Sequence, residues 1–373
     1  MKHDIIPDED SPILSGDGGG TATTDEAMPI HLDEPSKARS SFRDKIAEAK
    51  AKADRRKKAS DAVLNATDRA TELRNAEIVH EQFGKDILFN TNRGQFFHFQ
   101  GTHFAIDEDG FVARCVKSIA KGTSTRLVVN GVDPKIAERF GAKAESSAGV
   151  SGVVNLLKTE PGISVKGDDF DSDPYALNLA NGTLDLRTSR LRPHSRKDRI
   201  THCLATPWMP EASCDLWMNC LATWTNGNEQ LARYLQRIAG LSATGVSSVH
   251  ELFIFHGGGG NGKSVFVDTL MRMLDSYAGW AAESLLMARS FGQEHPTEIA
   301  DLQGKRLVVA SETESGGKLR QSLVKRLTGD TVLKARRMRQ DFFEFKRTHK
   351  LILVTNHKPR ITDDSEAMRR RIR

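Results

Sequence analysis

From Gly257 to Ser264 the chain reads Gly-Gly-Gly-Gly-Asn-Gly-Lys-Ser, filling every position of GxxxxGK[ST]. The flanks constrain the fold as much as the pattern does. Leu252-Phe253-Ile254-Phe255 is an apolar run suited to a buried strand. Phe266, Val267, Leu270, Met271 and Leu274 keep the i, i+3, i+4, i+7 spacing of an amphipathic helix. Strand, glycine loop and helix in that order predict an α/β layer with parallel strands. Gly257, Gly258, Gly259, Gly260 and Gly262, with Asn261 among them, let backbone N–H groups curl around phosphate oxygens with no Cβ in the way. Lys263 reaches the β- and γ-phosphates, and Ser264 is placed to ligate Mg²⁺. The expected ligand is a nucleoside triphosphate.

Two later apolar runs extend the site. Arg306-Leu307-Val308-Val309-Ala310 reads as a buried strand, with Ser311-Glu312-Thr313-Glu314 leaving its C-terminal end. A carboxylate there can hold Mg²⁺ or polarise an attacking water. Glu312 is the first choice and Glu314 the alternative; the plainer reading is a pair of solvated loop carboxylates. Lys350-Leu351-Ile352-Leu353-Val354 is followed by Thr355-Asn356. The neutral Asn356 amide can orient water at the γ-phosphate, although alone it would read as a turn residue.

The remainder divides by charge and periodicity. Of the 373 residues 38% are hydrophobic, enough for more than one core, and 54 Lys and Arg against 49 Asp and Glu leave a net charge of +5. No apolar run approaches the ~18 residues of a membrane span, and no secretory signal opens the chain, so a cytoplasmic protein is expected. Cys115, Cys203, Cys214 and Cys220 include no CxxC pair, which argues against a zinc site or disulfide framework. Residues 1–34 carry nine acidic side chains against one lysine and predict disorder. Residues 37–58 are basic and alanine-rich and predict a solvated helix. Residues 1–66 are thus a linker.

Residues 67–205 read as a smaller α+β domain. It opens with a helix through Leu73, Ala76, Val79 and Phe83 and closes with a hairpin pairing Leu177 and Leu179 with Leu184 and Leu186 around an Asn181-Gly182 turn. Residues 206–247 form a helical subdomain. One stripe is Leu216, Cys220, Leu221 and Trp224, the other Leu231, Tyr234, Leu235 and Ile238, stopped by Gly240. Trp217 and Trp224 read as core rather than base-stacking residues. Residues 248–373 hold the phosphate site and a basic stretch, with Lys or Arg at 334, 336, 337, 339, 346, 347 and 350. Phe343 and Phe345 alternate with charge there, which predicts a hairpin with a basic tip. Lys334, Arg336, Arg337 and Arg339 are candidates for non-specific contact with nucleic-acid phosphates, against the plainer reading of a solvated hairpin.

Together these stretches resemble a superfamily 3 helicase, and within it the phage/plasmid primase–helicase family, to which poxvirus proteins are similar. Gly257–Ser264 corresponds to Walker A, 306–314 to Walker B, and 351–356 to the motif with the sensor asparagine. Gly329-Asp330-Thr331-Val332, Asp185-Leu186 and Tyr234-Leu235-Gln236-Arg237 match the family's phrasing. The resemblance implies an AAA+-type P-loop core that binds ATP and Mg²⁺, assembles into a six-membered ring and translocates on single-stranded DNA. Glu312 would be the catalytic carboxylate. Residues 366–373 match the arginine-finger motif, with Arg370 and Arg371 both candidates. The 66 residues before Thr67 are too few and too polar for the family's primase domain, so a separate primase is an expected partner.

In the family the finger motif leads into another strand, beside the Walker A strand. The chain is therefore expected to be truncated at its C-terminus, leaving that strand as a bare sheet edge. The competing readings are another P-loop NTPase, such as a loader or a kinase, and an inactive remnant that still binds DNA.

Overall fold

The computed structural model describes residues 48, 50–52, 71–288, 296–312 and 317–373. The chain falls into two units, Met1–Ala59 and Ser60–Arg373. In the first, residues 48 and 50–52 are helical. The disorder expected over 1–34 lies outside the described residues.

Among the described residues the second unit opens with the helix Glu72–Phe83, capped by Thr71 Oγ1, which accepts from Arg74 N–H, and ended at Gly84. Its inner face is Asn75, Ala76, Ile78 and Val79, whereas Leu73, expected on that face, is 54% exposed. Three strands follow, β1 (Ile87–Asn90), β2 (Gln95–Phe99) and β3 (Phe104–Ile106). Helices then run over Phe111–Lys121, Thr123–Val129, Pro134–Glu145 and Ser147–Leu157. The first starts where the Asp107 carboxylate accepts from the N–H groups of Phe111 and Val112, satisfying two orphan donors. β4 (Ser164–Val165) pairs parallel to β1 and completes a sheet of order β3-β2-β1-β4. Val112, Val116, Val153 and Leu157 pack over Ala76, Val79 and Ile87.

β5 (Ala176–Leu179), β6 (Gly182–Asp185) and β7 (Arg190–Arg192) form an antiparallel meander. The expected hairpin is present, with Leu177 opposite Leu184, but its turn lies one residue earlier. Gly182 pairs with Leu179 inside the ladder. Its lack of a side chain answers a close approach instead, since a Cβ there would sit 2.6 Å from the Arg192 carbonyl oxygen.

Helices Asp215–Trp224 and Glu229–Ala243 come next. Gly240 does not stop the second, which continues to Ala243. The end is set by two buried basic side chains: Arg306 Nη1 donates to Ala243 O over 2.6 Å, and Lys350 Nζ donates to Thr244 O. Both side chains satisfy orphan carbonyls, and the Arg306 guanidinium offsets the negative helix terminus. The expected apolar stripes are only partly buried. Leu221 and Ile238 are core, while Leu216 (79%), Leu231 (44%) and Tyr234 (36%) are exposed.

β8 (Leu252–His256), β9 (Ala278–Trp280), β10 (Leu307–Glu312) and β13 (Lys350–Thr355) make the expected parallel sheet, in order β8-β13-β10-β9. Between β10 and β13 the chain forms the helix Gln321–Gly329 and an antiparallel hairpin of β11 (Val332–Arg336) and β12 (Phe342–Lys346). Successive residues of β10 point to opposite faces. Val308 and Ala310 join Leu323, Leu327 and Phe345, whereas Leu307 and Val309 join Phe266, Leu270 and Tyr277. The second cluster also takes in Leu177, Leu179 and Leu184, so the β5–β7 meander shares a core with the parallel sheet.

The edge of β8, expected to be bare, is occupied at its start. Leu252 N–H donates to Arg371 O, Arg373 N–H to Leu252 O and Ile254 N–H to Arg373 O, at 2.7–3.1 Å, forming a parallel bridge between Leu252 and Ile372.

Candidate functional site

The site is assembled at the C-terminal ends of three strands. In the ladders Glu312 lies opposite Thr355 and Thr355 opposite His256, so β8, β13 and β10 end level with one another. The glycine loop leaves β8 immediately and turns into the helix Lys263–Leu274. A cavity of about 380 Å³ opens between the loop and the strand ends, lined by Gly259, Gly260, Lys263, Ser264, Ser311 and Asn356. Open α/β sheets place ligands outside their strand C-termini for this reason.

Within the loop the Lys263 ammonium folds back on its own neighbours. Nζ donates to Gly257 O (2.6 Å), Gly258 O (3.2 Å) and Asn261 Oδ1 (2.9 Å). Among the described residues these acceptors are all neutral, and they lie at the mouth of the cavity. Gly260 and Gly262 have φ of 77° and 80°, a region that side chains disfavour. Gly262 also has no room, because a Cβ would lie 2.2 Å from Trp224 Cδ1. Trp224 packs on Phe266 together with Trp217, as the core reading expected, yet it also braces the phosphate loop. That brace was missed in the sequence, where nothing links Trp224 to Gly262.

The other site residues separate by position. Glu312 ends β10 at the level of the cavity, and Asn356 is exposed one residue beyond β13. Glu314 lies outside the described residues. Thr355 is buried at 2% and forms a tight turn: its Oγ1 donates to His357 O (2.6 Å) and accepts from His357 N–H (3.0 Å), setting the angle at which Asn356 leaves the strand. Ser311 and Thr355 reach this cavity through strand register, which sequence spacing alone does not reveal.

Arg370 and Arg371 do not line this cavity, and the structure distinguishes them. Arg371 is 8% exposed, with Nε donating to Thr328 Oγ1 at 3.1 Å and Nη1 donating to Ala367 O. Gly329 makes room for it, since a Cβ there would sit 2.7 Å from Arg371 Nη2. Arg370 is exposed and, among the described residues, makes no side-chain hydrogen bond or ion pair.

The basic hairpin forms with Lys334 opposite Glu344 and Arg336 opposite Phe342. Lys334, Arg336 and Arg339 are exposed, and Arg339 turns the tip at φ 58°. Lys334 and Arg336 sit over the half-exposed Phe342 ring at 5.3 and 5.2 Å. Arg337 is half-buried and donates to Gln303 Oε1 at 3.3 Å. Two members of the basic run face inward instead. Arg347 donates to the carbonyls of Asp330, Val249 and Ser247, and Lys350 to those of Thr244, Val246 and Thr348. Burial, with Arg306 and Arg347 nearby, pushes the Lys350 pKa down to about 6. These two side chains are buried and hold the sheet's N-terminal edge to the 244–249 connection.

A larger cavity of about 830 Å³ lies away from the glycine loop, among Phe97, His98, Phe104, Asp171, His202 and Arg347. Beside it His98, Asp107 and Asp109 come close enough to share a cation, but Asp107 is already engaged as a helix cap and Asp109 pairs with Arg114 at 2.7 Å. Among the described residues no helix is long and apolar enough to cross a membrane.

Residues 76–225 match the family described as D5 N terminal like, and residues 255–371 match a family of unknown function, DUF5906. A putative helicase, L207/L206, of Acanthamoeba polyphaga mimivirus is 23% identical over 209 residues, covering 55% of this chain and 22% of the relative. The chain thus spans about a fifth of that relative's length. Two apo structures of the NrS-1 C-terminal region are each 14% identical. They cover 81% and 82% of this chain and 60% and 61% of theirs, at TM-scores of 0.42 and 0.44. By these matches the chain is similar to the D5 N terminal like family over residues 76–225 and to the DUF5906 family over residues 255–371.

Proposed function

We propose that this chain is the ATP-hydrolysing helicase module of a replication protein, with an AAA+-type P-loop core of the superfamily 3 kind that moves along single-stranded DNA. One observation carries the reading: three parallel strands end level, so that Lys263, Ser264, the end of β10 and Asn356 surround one cavity beside a glycine loop.

The residues present fit a Mg²⁺-bound triphosphate. Among the described residues the Lys263 ammonium is held by loop acceptors, and no Cβ could be accommodated at Gly262. When bound, ATP supplies a γ-phosphoryl group whose charge Mg²⁺ helps neutralise. Lys263 exchanges the carbonyls of Gly257 and Gly258 for phosphate oxygens. The Ser264 hydroxyl, at the helix start, takes a metal-ligand position. Glu312 orients and polarises water at the level of Asn356, whose amide holds that water without competing for its proton. Arg370 serves a neighbouring subunit of a six-membered ring, completing a site that one chain leaves open. Lys334, Arg336 and Arg339 grip phosphates in the ring channel without reading bases.

The test is steady-state ATP hydrolysis with and without single-stranded DNA, beside Lys263→Ala and alongside the native mass. DNA-stimulated turnover in a multimer, lost in the variant, supports the reading. Turnover that ignores DNA points to another kind of P-loop NTPase, and normal turnover in Lys263→Ala removes the phosphate-site assignment.

A further inference from the structure

The hairpin does not stand alone. β12 lies against the short 3-10 turn Gly167–Asp169, and between them is a groove of about 500 Å³ that also reaches the turn joining β1 and β2. That turn is fixed from below. Buried Asn90 accepts with Oδ1 from the N–H groups of Asn92 (3.0 Å) and Arg93 (3.1 Å). Asn92 Oδ1 in turn accepts from Gly167 N–H at 2.7 Å, tying the two turns into one wall.

Arg93 projects from this wall towards the hairpin. Its Nη2 donates to Gln303 Oε1 at 2.8 Å, the oxygen that Arg337 Nη2 approaches at 3.3 Å. Two guanidinium groups from distant segments thus converge on one neutral amide. Among the described residues neither is ion-paired, and Arg93 Nε is buried without a hydrogen-bond partner. Burial and then Arg337 push the Arg93 pKa down, opposed in part by Asp171. Lys166 and Lys334 line the same groove, while Asp168 and Glu344 are its only carboxylates among the described residues. Positive charge is therefore in excess, drawn from both sides.

The ligand chemistry follows from what flanks the charge. Phe342 is 54% exposed, with two cations over its ring, and borders the groove beside Lys334. Paired guanidinium forks, lysines and an exposed aromatic face suit alternating phosphates and bases. An acidic peptide would leave the ring without a stacking partner.

We propose that this groove takes phosphodiester groups of a single strand, so that Arg93 and Lys166 of the D5-like region share with the hairpin in gripping it. The proposal rests on the single-stranded-DNA reading above and extends it to residues outside the hairpin.

The experiment measures binding of a fluorescein-labelled oligothymidylate by anisotropy across a salt series. It compares the full chain with Lys166→Gln, Arg93→Gln, Arg93→Lys and the hairpin variant Lys334→Gln/Arg336→Gln, with thermal melting of each. Lys166→Gln, at an exposed position, should melt like the wild type. Both glutamine variants should bind more weakly, with the log–log salt slope reduced by roughly 0.7 for each lost phosphate contact. Arg93→Lys should restore the slope. If Lys166→Gln keeps the wild-type slope and Arg93→Gln loses only stability, Arg93 is structural and the groove proposal falls. Wild-type affinity and slope in both glutamine variants, with loss confined to the hairpin variant, overturn the groove while leaving the proposed function standing. A wild-type chain that binds no oligothymidylate overturns both.

Discussion

The Arg371 guanidinium donates from Nε to Thr328 Oγ1 across 3.1 Å, inside its own molecule. Its neighbour Arg370 projects outward. Two adjacent arginines that spacing alone treats as equivalent thereby have different surroundings.

Arg370→Ala should lower ATP turnover of the assembled protein by roughly a thousandfold, with an unchanged melting temperature. Arg371→Ala should cost about 1–3 kcal/mol of stability, because it strips a buried polar contact beside Thr328. Turnover and chemical denaturation of both variants check the assignment. The reverse pattern would make Arg371 the residue that crosses to a neighbour.

Gly262→Ala should impair nucleotide binding. The new methyl meets Trp224, and φ of 80° costs an alanine about 1–2 kcal/mol. Adding Trp224→Ala should recover part of the affinity by removing the clash but not the backbone strain. Titration with a fluorescent ATP analogue gives the comparison, and no recovery would mean that Trp224 does not brace the loop.

Glu312→Gln should retain ATP yet fail to hydrolyse it, as measured by single-turnover assay. If Glu314→Gln alone behaves in this way, the water-activating carboxylate lies two residues further on.

Lys350 gives the stability a defined dependence on pH. Its folded pKa is lowered from about 10.5 to about 6, chiefly by burial and then by Arg306 and Arg347. Between those values the unfolded chain holds a proton that the folded chain releases, so this group makes stability rise with pH across that window. Below about pH 6 both states are protonated, and its contribution is flat. Lys350→Met should flatten the rise, as read from urea midpoints measured from pH 6 upward.

Three strands of the parallel sheet and the glycine loop beside them were legible in the sequence because they rest on short-range signals, whereas the short edge strand β9 carries no such apolar run. Apolar runs at 252–255, 306–310 and 350–354 became strands, and the glycine loop stands where spacing put it. What escaped depends on residues far apart in the chain. Leu216 and Leu231 have helical spacing, but the two helices turn other residues to the sheet, and the apolar pattern is too broad to say which. Lys350 and Arg347 read as part of a basic face because charge normally seeks water. Apart from that of Thr348, the carbonyls that accept from them come from the 244–249 connection and Asp330, which no local pattern could indicate. Gly240 was expected to end a helix that Arg306 and Lys350 end instead, from strands that begin more than sixty residues later. Gly182 was assigned to a turn when its role is to admit the Arg192 carbonyl of a third strand.

Trp224 falls within the stretch that matches one family and Gly262 within the stretch that matches the other, yet the two touch. Arg306 likewise reaches across to the carbonyl of Ala176 at 2.6 Å. The seam between the two matches is therefore not a place where the protein can be cut. A phosphate-loop half expressed alone, or joined to a different partner, would have neither the indole behind Gly262 nor an acceptor for a buried guanidinium. A substitution on one side of the seam therefore sets what the other side can tolerate.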